Sequence, residues 1–492
     1  MSLINVSNLT FGYDGAFDNV FENVSFQIDT DWRLGFVGRN GRGKTTFFKL
    51  LTNEFEYSGK ISSNVNFEYY PYTVENTDWL TIELVREIAP SAMDWEIAKE
   101  LSLLDLTDDA LYRPFCTLSK GEQSKALLAA LFLKENAFLL IDEPTNHLDI
   151  EAREKLAGYL KKKKGFILIS HDRYILDECT EYILAINKCN IEVMKGNFSD
   201  WQANKTLRDE YEIKENEKLK GEIKRLSSSA MQTGGWSDKI EKSKTGTRVA
   251  GLRPDRGYIG HKSAKMMKRA KSIEKRQNSA IEEKSKLLKN VESYSELEIR
   301  PLKFFDNTLL EFSDVSVSYD RKTVCSNINF KIEQGERIAL RGKNGSGKSS
   351  ILKLICGENI DYTGEIRRNN RLIISYVPQS TDGLCGSISD LAYEKGIDES
   401  LFRTVLSKLD FSKEQLEKNI EDFSEGQKKK VLLAESLCTP AHLYVWDEPL
   451  NYIDVISRIQ LENLLKKFSL TIIFVEHDKT FSDSIATKII EI

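Results

Sequence analysis

The sequence predicts an α/β protein: two P-loop nucleotide-binding domains in tandem, joined by a long antiparallel α-helical hairpin. Three observations predict it. A loop of the form GxxxxGK[ST] occurs once in each half, as GRNGRGKT from Gly38 to Thr45 and as GKNGSGKS from Gly342 to Ser349. Further motifs follow each loop in the same order and at near-identical spacing. Between the two sets lies a basic segment whose apolar residues recur at helical spacing. The expected divisions are residues 1–200, a linker at 201–300 with an extended tip loop at about 232–261, and residues 301–492.

The loops come first. Each follows a strand-like run (RLGFV, RIAL) and opens a helical pattern (FFKLLTNE, ILKLICGE). In that setting backbone N–H groups cradle phosphates at a helix N-terminus, the lysine reaches the β/γ-phosphates, and the hydroxyl that follows it helps hold Mg2+. The residues cast in these roles are Gly38, Asn40, Gly41, Gly43, Lys44, Thr45 and Thr46 in the first half. Their counterparts are Gly342, Asn344, Gly345, Gly347, Lys348, Ser349 and Ser350.

The companion motifs remove chance as an explanation. From Lys44 to Ser119 of LSKGEQ is 75 residues, and from Lys348 to Ser424 of FSEGQ is 76. From those serines to Glu143 and Glu448 the separation is 24 in both halves, and from the glutamates to His171 and His477 it is 28 and 29. The glutamates end the runs FLLIDE and LYVWDE, apolar because such a strand is covered on both faces of a parallel sheet. Asp142 and Asp447 are thereby delivered beside Mg2+, with Glu143 and Glu448 as bases that orient the attacking water and His171 and His477 as their catalytic partners. Alone, a DE pair after a strand is usually a solvated strand end and a lone histidine is usually structural; the repeated framework reverses both odds.

On these residues the chain resembles a twin-cassette ABC ATPase over about 400 of its residues, with two Walker A loops, signature motifs LSKGEQ and FSEGQ, Walker B strands, and D-loops HLD and YID. The resemblance implies an intramolecular cassette dimer binding ATP and Mg2+, in which the signature motif of one cassette completes the other's site. Site one would join Lys44, Asp142, Glu143 and His171 to Ser424 and Gly426. Site two would join Lys348, Asp447, Glu448 and His477 to Ser119 and Gly121. Tyr13 and Tyr319, 31 and 29 residues before the lysines, stand where such proteins stack adenine.

Departures make the two sites unequal. The Gln-loop of the second half reads YVPQ, ending at Gln379, a residue expected to sense Mg2+ and water; the first half reads YYPY, with Tyr72 in that place. Leu450 and Tyr452 replace the Thr and His of DEPTNHLD, and Glu425 stands where the signature usually has Gly. Both sites are expected to bind ATP with unequal turnover, and the loss at Tyr72 speaks against coupling to a membrane partner.

Bulk properties agree. The longest apolar runs are strand-sized, far short of the roughly 20 residues of a membrane helix, and the start MSLINVSNLTF lacks the basic flank and apolar core of a signal peptide. Seven scattered cysteines without a CxxC pair suit reduced core thiols in the cytoplasm. Charge is uneven: residues 205–300 carry +9 in a chain whose total is −5, leaving −14 for the rest. A basic insert between acidic halves points to a polyanionic partner.

Within the insert, Leu207, Tyr211, Leu219, Ile223 and Leu226, and on the return Met266, Ala270, Ile273, Ala280, Leu287, Val291 and Tyr294, predict two helices of roughly 35 residues packed on each other. From Lys224 to Arg276 the net charge is +11. Lysine and arginine neutralise phosphates, and aromatics stack on exposed bases. The residues expected to face RNA are Trp236, Lys239, Lys242, Lys244, Arg248, Arg253, Arg256, Tyr258 and His261; on composition alone the segment also fits a solvated hairpin tip.

The run KGNFSDWQANKTLRDEYE, Lys195 to Glu212, resembles the start of the linker in ABC-F proteins, which act on ribosomes. With the long tip, the short stretch from Tyr72 to Ser119 that leaves no room for an extra arm, and no extension expected in the 15 residues after His477, the chain is most similar to the Lsa group of resistance proteins. The resemblance implies ribosome protection: docking in the tRNA exit site of the bacterial ribosome, with large-subunit rRNA and exit- and P-site tRNA as partners. Lincosamides, streptogramin A compounds and pleuromutilins would be displaced. No membrane domain and no DNA are expected. The alternatives are a housekeeping ABC-F translation factor acting on stalled ribosomes, the ATPase subunit of a drug exporter, and, more remotely, a DNA-repair ATPase.

Overall fold

In the computed structural model, residues 2–13, 19–146, 148–187, 190–242, 265, 268, 272, 275, 301–319, 322–468 and 470–492 are described. The chain divides into two compact units: Met1–Trp201 together with Glu296–Ile492, and Gln202–Ser295.

In the first unit each half builds a core sheet. The first sheet runs Asn66–Tyr70, Ala137–Asp142, Phe166–Ile169, Arg33–Val37, Tyr182–Asn187, Asn190–Lys195, parallel except for the last pair. The second runs Ile374–Val377, Leu443–Asp447, Ile472–Val475, Arg337–Arg341, Lys488–Glu491, all parallel. Phe138–Ile141 and Leu443–Asp447 are buried along their length because helices and a second sheet cover the two faces. Trp446 and Tyr444 are fully buried in the second of these strands, and their polar tips are met: Trp446 Nε1 donates to Ser436 Oγ at 2.9 Å and Tyr444 OH to the Thr439 carbonyl at 3.1 Å. Three-stranded antiparallel sheets, centred on Leu3–Phe11 and Thr308–Tyr319, form the covering layer.

Parallel strands of this kind gather ligands at their C-terminal ends. There the chain turns from Val37 and Arg341 into the P-loops, whose helices Lys44–Leu51 and Lys348–Cys356 begin behind Gly43 and Gly347. Both glycines are left-handed (φ 92° and 93°), and a Cβ on Gly43 would lie 2.4 Å from Val20 Cγ1. Helices Thr81–Ile88, Asp94–Leu103 and Asp108–Leu111 fill the stretch between Tyr72 and Ser119.

The two halves touch. Val455, Ile456 and Ile459 of the second pack against the core of the first. Arg173 pairs with Glu462, both buried, and Lys479 Nζ meets Glu154 Oε1 at 2.6 Å.

The linker helix corrects the expected boundaries. It runs Phe198–Lys242, 45 residues and about 68 Å at 1.5 Å per residue, and so takes in residues 232–242, which were expected in the tip loop. Gly234 and Gly235 are carried within it; about 1 kcal/mol each against helix does not stop propagation along an established helix. The apolar stripe is also corrected. Leu207 and Tyr211 are 65 % and 68 % exposed, whereas Asn216 is buried and Leu219 and Ile223 are half-buried. At 100° per residue, Leu207 and Leu219 differ by about 120° around the axis and never shared a face. Leu226 lies outside the residues whose side chains are described, and the return-stripe residues Met266 to Tyr294 lie outside the described residues. The described helical residues there, Lys265, Lys268, Ser272 and Lys275, are exposed at spacings of three and four, a polar face.

Candidate functional site: two clefts formed by P-loops and opposed signature motifs

Each P-loop is held ready by its own lysine. Lys44 Nζ donates to the carbonyls of Gly38 (2.7 Å) and Arg39 (3.1 Å), and Lys348 Nζ to those of Gly342 (2.9 Å) and Lys343 (2.7 Å). Burial lowers the pKa of both lysines; near Lys44 the charges of Asp454, Glu143 and Asp142 oppose that shift. Tyr13 OH meets Thr46 Oγ1 at 2.7 Å, and Tyr319 OH meets Ser350 Oγ at 3.0 Å, so each tyrosine stands at the mouth of its loop, about half exposed.

The glutamates also match in backbone. Both are left-handed (φ 50° and 45°), with N–H groups donating to the Ile169 and Val475 carbonyls at 2.9 and 3.0 Å. His171 Nε2 lies 3.3 Å from Glu143 Oε1, and His477 Nε2 lies 3.6 Å from Glu448 Oε1.

Beyond this the sites diverge. Glu448 Oε2 accepts from Gln379 Nε2 at 2.8 Å and Asn451 Nδ2 at 2.6 Å. Burial pushes its carboxyl up, but His477, Gln379 and Asn451 outweigh burial and hold it at about 2. Gln379 thus grips the base, with its amide on Glu448. In the first half Tyr72 packs, partly buried, against the hydrophobic core. Glu143 Oε1 is buried with no hydrogen bond among the described residues, and burial together with Asp142 raises its pKa. Burial, with Lys44 and Arg458, drives His171 well below its usual value. One base is ionised and held; the other leans toward its protonated form.

Each half reaches into the other's site. Asn40 Nδ2 donates to the Tyr452 carbonyl at 2.9 Å, and a Cβ on Gly426 would lie 3.4 Å from Asn40 Nδ2. The second signature therefore lies on the first P-loop; Ser424 Oγ itself caps its helix, accepting from Gln427 N at 3.4 Å. On the other side, Ser119, Lys120 and Gly121 line a cleft of about 580 Å³ with Lys343 and Asn344. Beside it, Ser349, Gln379, Glu448 and His477 line one of about 770 Å³ with Asn146, Leu148 and Arg153 of the first half. The cleft around Lys44, Asp142, Glu143 and His171 measures about 380 Å³, and the described residues that line it belong to the first half. Two participants escaped sequence reasoning. Lys120 occupies the signature position taken by Glu425 in the second half, and Thr381, two residues beyond Gln379, donates its hydroxyl to Glu425. His147 of the first D-loop lies outside the described residues.

The donor set suits Mg2+. Thr45 Oγ1 donates to Asp142 Oδ2 at 2.9 Å, and Asp447 Oδ1 is buried without a hydrogen bond among the described residues. Burial raises both aspartates, so a cation there would be welcomed. One carboxylate and one hydroxyl, with substrate phosphates supplying further oxygens, is the usual Mg2+ arrangement.

Ion pairs tie the D-loops to the switch histidines. Arg458 donates to the Ile453 and Leu450 carbonyls and to Asp478 Oδ2, each at 2.9 Å; Arg153 likewise joins the Leu148 carbonyl (3.0 Å) to Asp172 Oδ2 (3.2 Å). Asp454, fully buried, receives Lys430 Nζ at 3.1 Å and caps its helix from Ser457 N at 2.9 Å. Burial opposes that charge, yet Lys430 and Ser457 hold Asp454 well below the usual carboxylate range. Asp454→Asn strands the Lys430 ammonium and should destabilise the protein by about 3 kcal/mol at pH 7. A depressed carboxylate stabilises above its unfolded pKa of about 4 and less as pH falls through its folded value, so the deficit should narrow below about pH 4. Urea midpoints at pH 7 and pH 3 check this; equal midpoints at pH 7 would show the pair to be idle.

The residues flanking Phe198 anchor the linker. Phe198 and Trp201 are buried in the first core, their rings 5.5 Å apart. Asp200 N donates to Asn197 Oδ1 (3.0 Å) and Asn197 N to Asp200 Oδ2 (3.2 Å), while Ser199 is held by Asp177. Of the expected RNA-facing residues, Trp236, Lys239 and Lys242 lie on the helix backbone; Lys244, Arg248, Arg253, Arg256, Tyr258 and His261 lie outside the described residues. Of the described cysteines, Cys179, Cys325 and Cys438 are buried and Cys356 is half-buried. Cys116 and Cys385 are exposed, against the expectation of core thiols: Cys116 lies in the short 3-10 helix Phe115–Thr117 and Cys385 in the loop before helix Ile388–Lys395. Among the described residues no helix is long and apolar enough to cross a membrane.

With this geometry in hand, the likeness to known proteins is specific. The ABC transporter family model matches residues 21–146 and 325–451. The chain is 28 % identical to the ribosome protection protein VmlR of Bacillus subtilis, over 98 % of this chain and 84 % of that protein. It is 27 % identical to the probable ATP-binding protein YbiT of Escherichia coli O157:H7, over 99 % and 95 %. In fold it is similar to a chain in the crystal structure of the archaeal ribosomal stalk protein aP1 with the archaeal ribosome recycling factor aABCE1 (TM-score 0.64, 18 % identity, 98 % and 87 % covered).

Proposed function

The chain belongs to the ABC transporter family, and from that premise we propose that this ATP hydrolase is a ribosome protection protein of the ABC-F group. The observation that carries the reading is the basic segment, +11 from Lys224 to Arg276, set between two ATP motif sets in an otherwise acidic chain. The likeness to VmlR over nearly the whole chain supports it.

In this reading ATP draws the two halves together, Lys44 and Lys348 turning from their loop carbonyls to the phosphates. Bound Mg2+ would neutralise phosphate charge between Thr45 and Asp142, and between Ser349 and Asp447. Tyr13 and Tyr319 stack the adenines; Glu448, gripped by Gln379, orients the attacking water at site two, and Glu143 does so less well at site one. Signature residues Gly426 and Gly121 close each site from the opposite half. The closed form docks in the tRNA exit site of the large ribosomal subunit, and the linker tip displaces lincosamides, streptogramin A compounds and pleuromutilins. Hydrolysis reopens the halves. Added to a bacterial cell-free translation extract with ATP, the protein should restore synthesis at least threefold against lincomycin and tiamulin and leave erythromycin inhibition unchanged. Rescue from none of the three would defeat the reading and leave a translation factor that acts without drugs.

A further inference from the structure

Lys429 is fully buried in the helix that follows the second signature motif, Glu425–Cys438. Its neighbours have evident partners: Lys428 Nζ lies 3.5 Å from Glu425 Oε1, and Lys430 pairs with Asp454. The Lys429 ammonium instead donates to three main-chain carbonyls, Pro378 at 2.7 Å, Gln379 at 3.2 Å and Asp447 at 3.2 Å. Three N–H bonds meet three acceptors, which fully satisfies an ammonium. Those carbonyls lie just past the last ladder pair of two neighbouring strands, Val377 with Trp446, so the ammonium joins the Gln-loop to the end of the Walker B strand where the ladder stops.

We propose that Lys429 is a positioning residue for ATP hydrolysis at the second site: it staples the Gln379 backbone to the end of the Asp447 strand, so that the Gln379 amide stays on Glu448. The first half lacks both parts together. Ser124 stands at the matching position and donates to the Lys120 carbonyl of its own helix at 2.9 Å, while Tyr72 stands in place of the glutamine. An apolar side chain of similar length would fill the same space without the cost of desolvating a charge. What the ammonium adds is a fixed distance between two loops, and that distance sets where the glutamine ends.

The test isolates site two in a Glu143→Gln background. Lys429→Met should lower kcat at least tenfold while the KM for ATP stays within twofold, and Gln379→Ala should do the same. Because the lysine acts through the glutamine, the double variant should fall no more than about twofold below the worse single variant. Losses that multiply, or a Lys429→Met kcat within threefold of its parent, would overturn the proposal. A graft decides independently, even if Lys429→Met does not fold. In a Glu448→Gln background, Tyr72→Gln with Ser124→Lys should turn over ATP at least threefold faster than Tyr72→Gln alone; no gain overturns the assignment.

Discussion

Replacing Glu143 and Glu448 together with glutamine should lower ATP turnover by about 10²–10⁴-fold, the usual worth of a positioned base, and leave the protein on ribosomes while ATP is present. Glutamine keeps the shape of glutamate, so the P-loops, the aspartates and the opposed signature residues can still bind ATP. What is lost is the acceptor for the water's proton. If ATP favours the closed form and hydrolysis is the exit from it, blocking hydrolysis must shift the population toward the docked state. The single variants should be unequal. Glu448 is ionised and held by Gln379 and Asn451, whereas Glu143 has a buried, unbonded oxygen and a raised pKa. Glu448→Gln should therefore remove most of the turnover and Glu143→Gln the smaller share. Sedimentation through sucrose separates the outcomes: a double variant that stays in the supernatant with ATP rules out the docking cycle.

Much of this was legible in the sequence because phosphate chemistry constrains residue type and spacing together. A loop that must present N–H groups needs Gly43 and Gly347, and a carboxylate at a strand end needs an apolar strand behind it. Those demands leave a pattern, and the repeat printed it twice. Tyr72 signalled that the sites differ, since it has no side-chain amide to lay on Glu143. Sequence did not show that Gln379 would turn to Glu448, which depends on the angle between two loops set by Lys429. Lys429 was invisible for a plain reason: within KKK, beside two charged neighbours, nothing marks the middle residue as the buried one. The linker shows the limits of periodicity. Leu207 and Tyr211 fit i, i+4 spacing to each other and Leu219 and Ile223 do likewise, but the two pairs lie on different faces. Gly234 and Gly235 read as a loop because propensity is local, whereas a long helix is a cooperative object.

Deleting residues 243–260 and rejoining the chain with a short Gly-Ser turn should abolish drug resistance and leave ATP turnover within about twofold. The cut starts past Lys242 because the linker helix extends that far, so its register and its Phe198–Trp201 anchor are untouched. The deleted stretch carries Lys244, Arg248, Arg253, Arg256 and Tyr258 against one acidic residue, Asp255. Cations that neutralise phosphates set a salt-dependent affinity, and each contact removed lowers the slope of log affinity against log salt by about one. Ribosome binding should therefore weaken modestly and become less salt-sensitive, while rescue of translation from lincomycin falls to background. The halves would still close on ATP, since the described residues that line the three clefts all lie outside the deleted stretch. A drug-displacing tip predicts loss of rescue with turnover intact; a factor that acts through its cassettes alone predicts that rescue survives the cut. Surviving rescue would move the specific function out of the linker and into the cassettes.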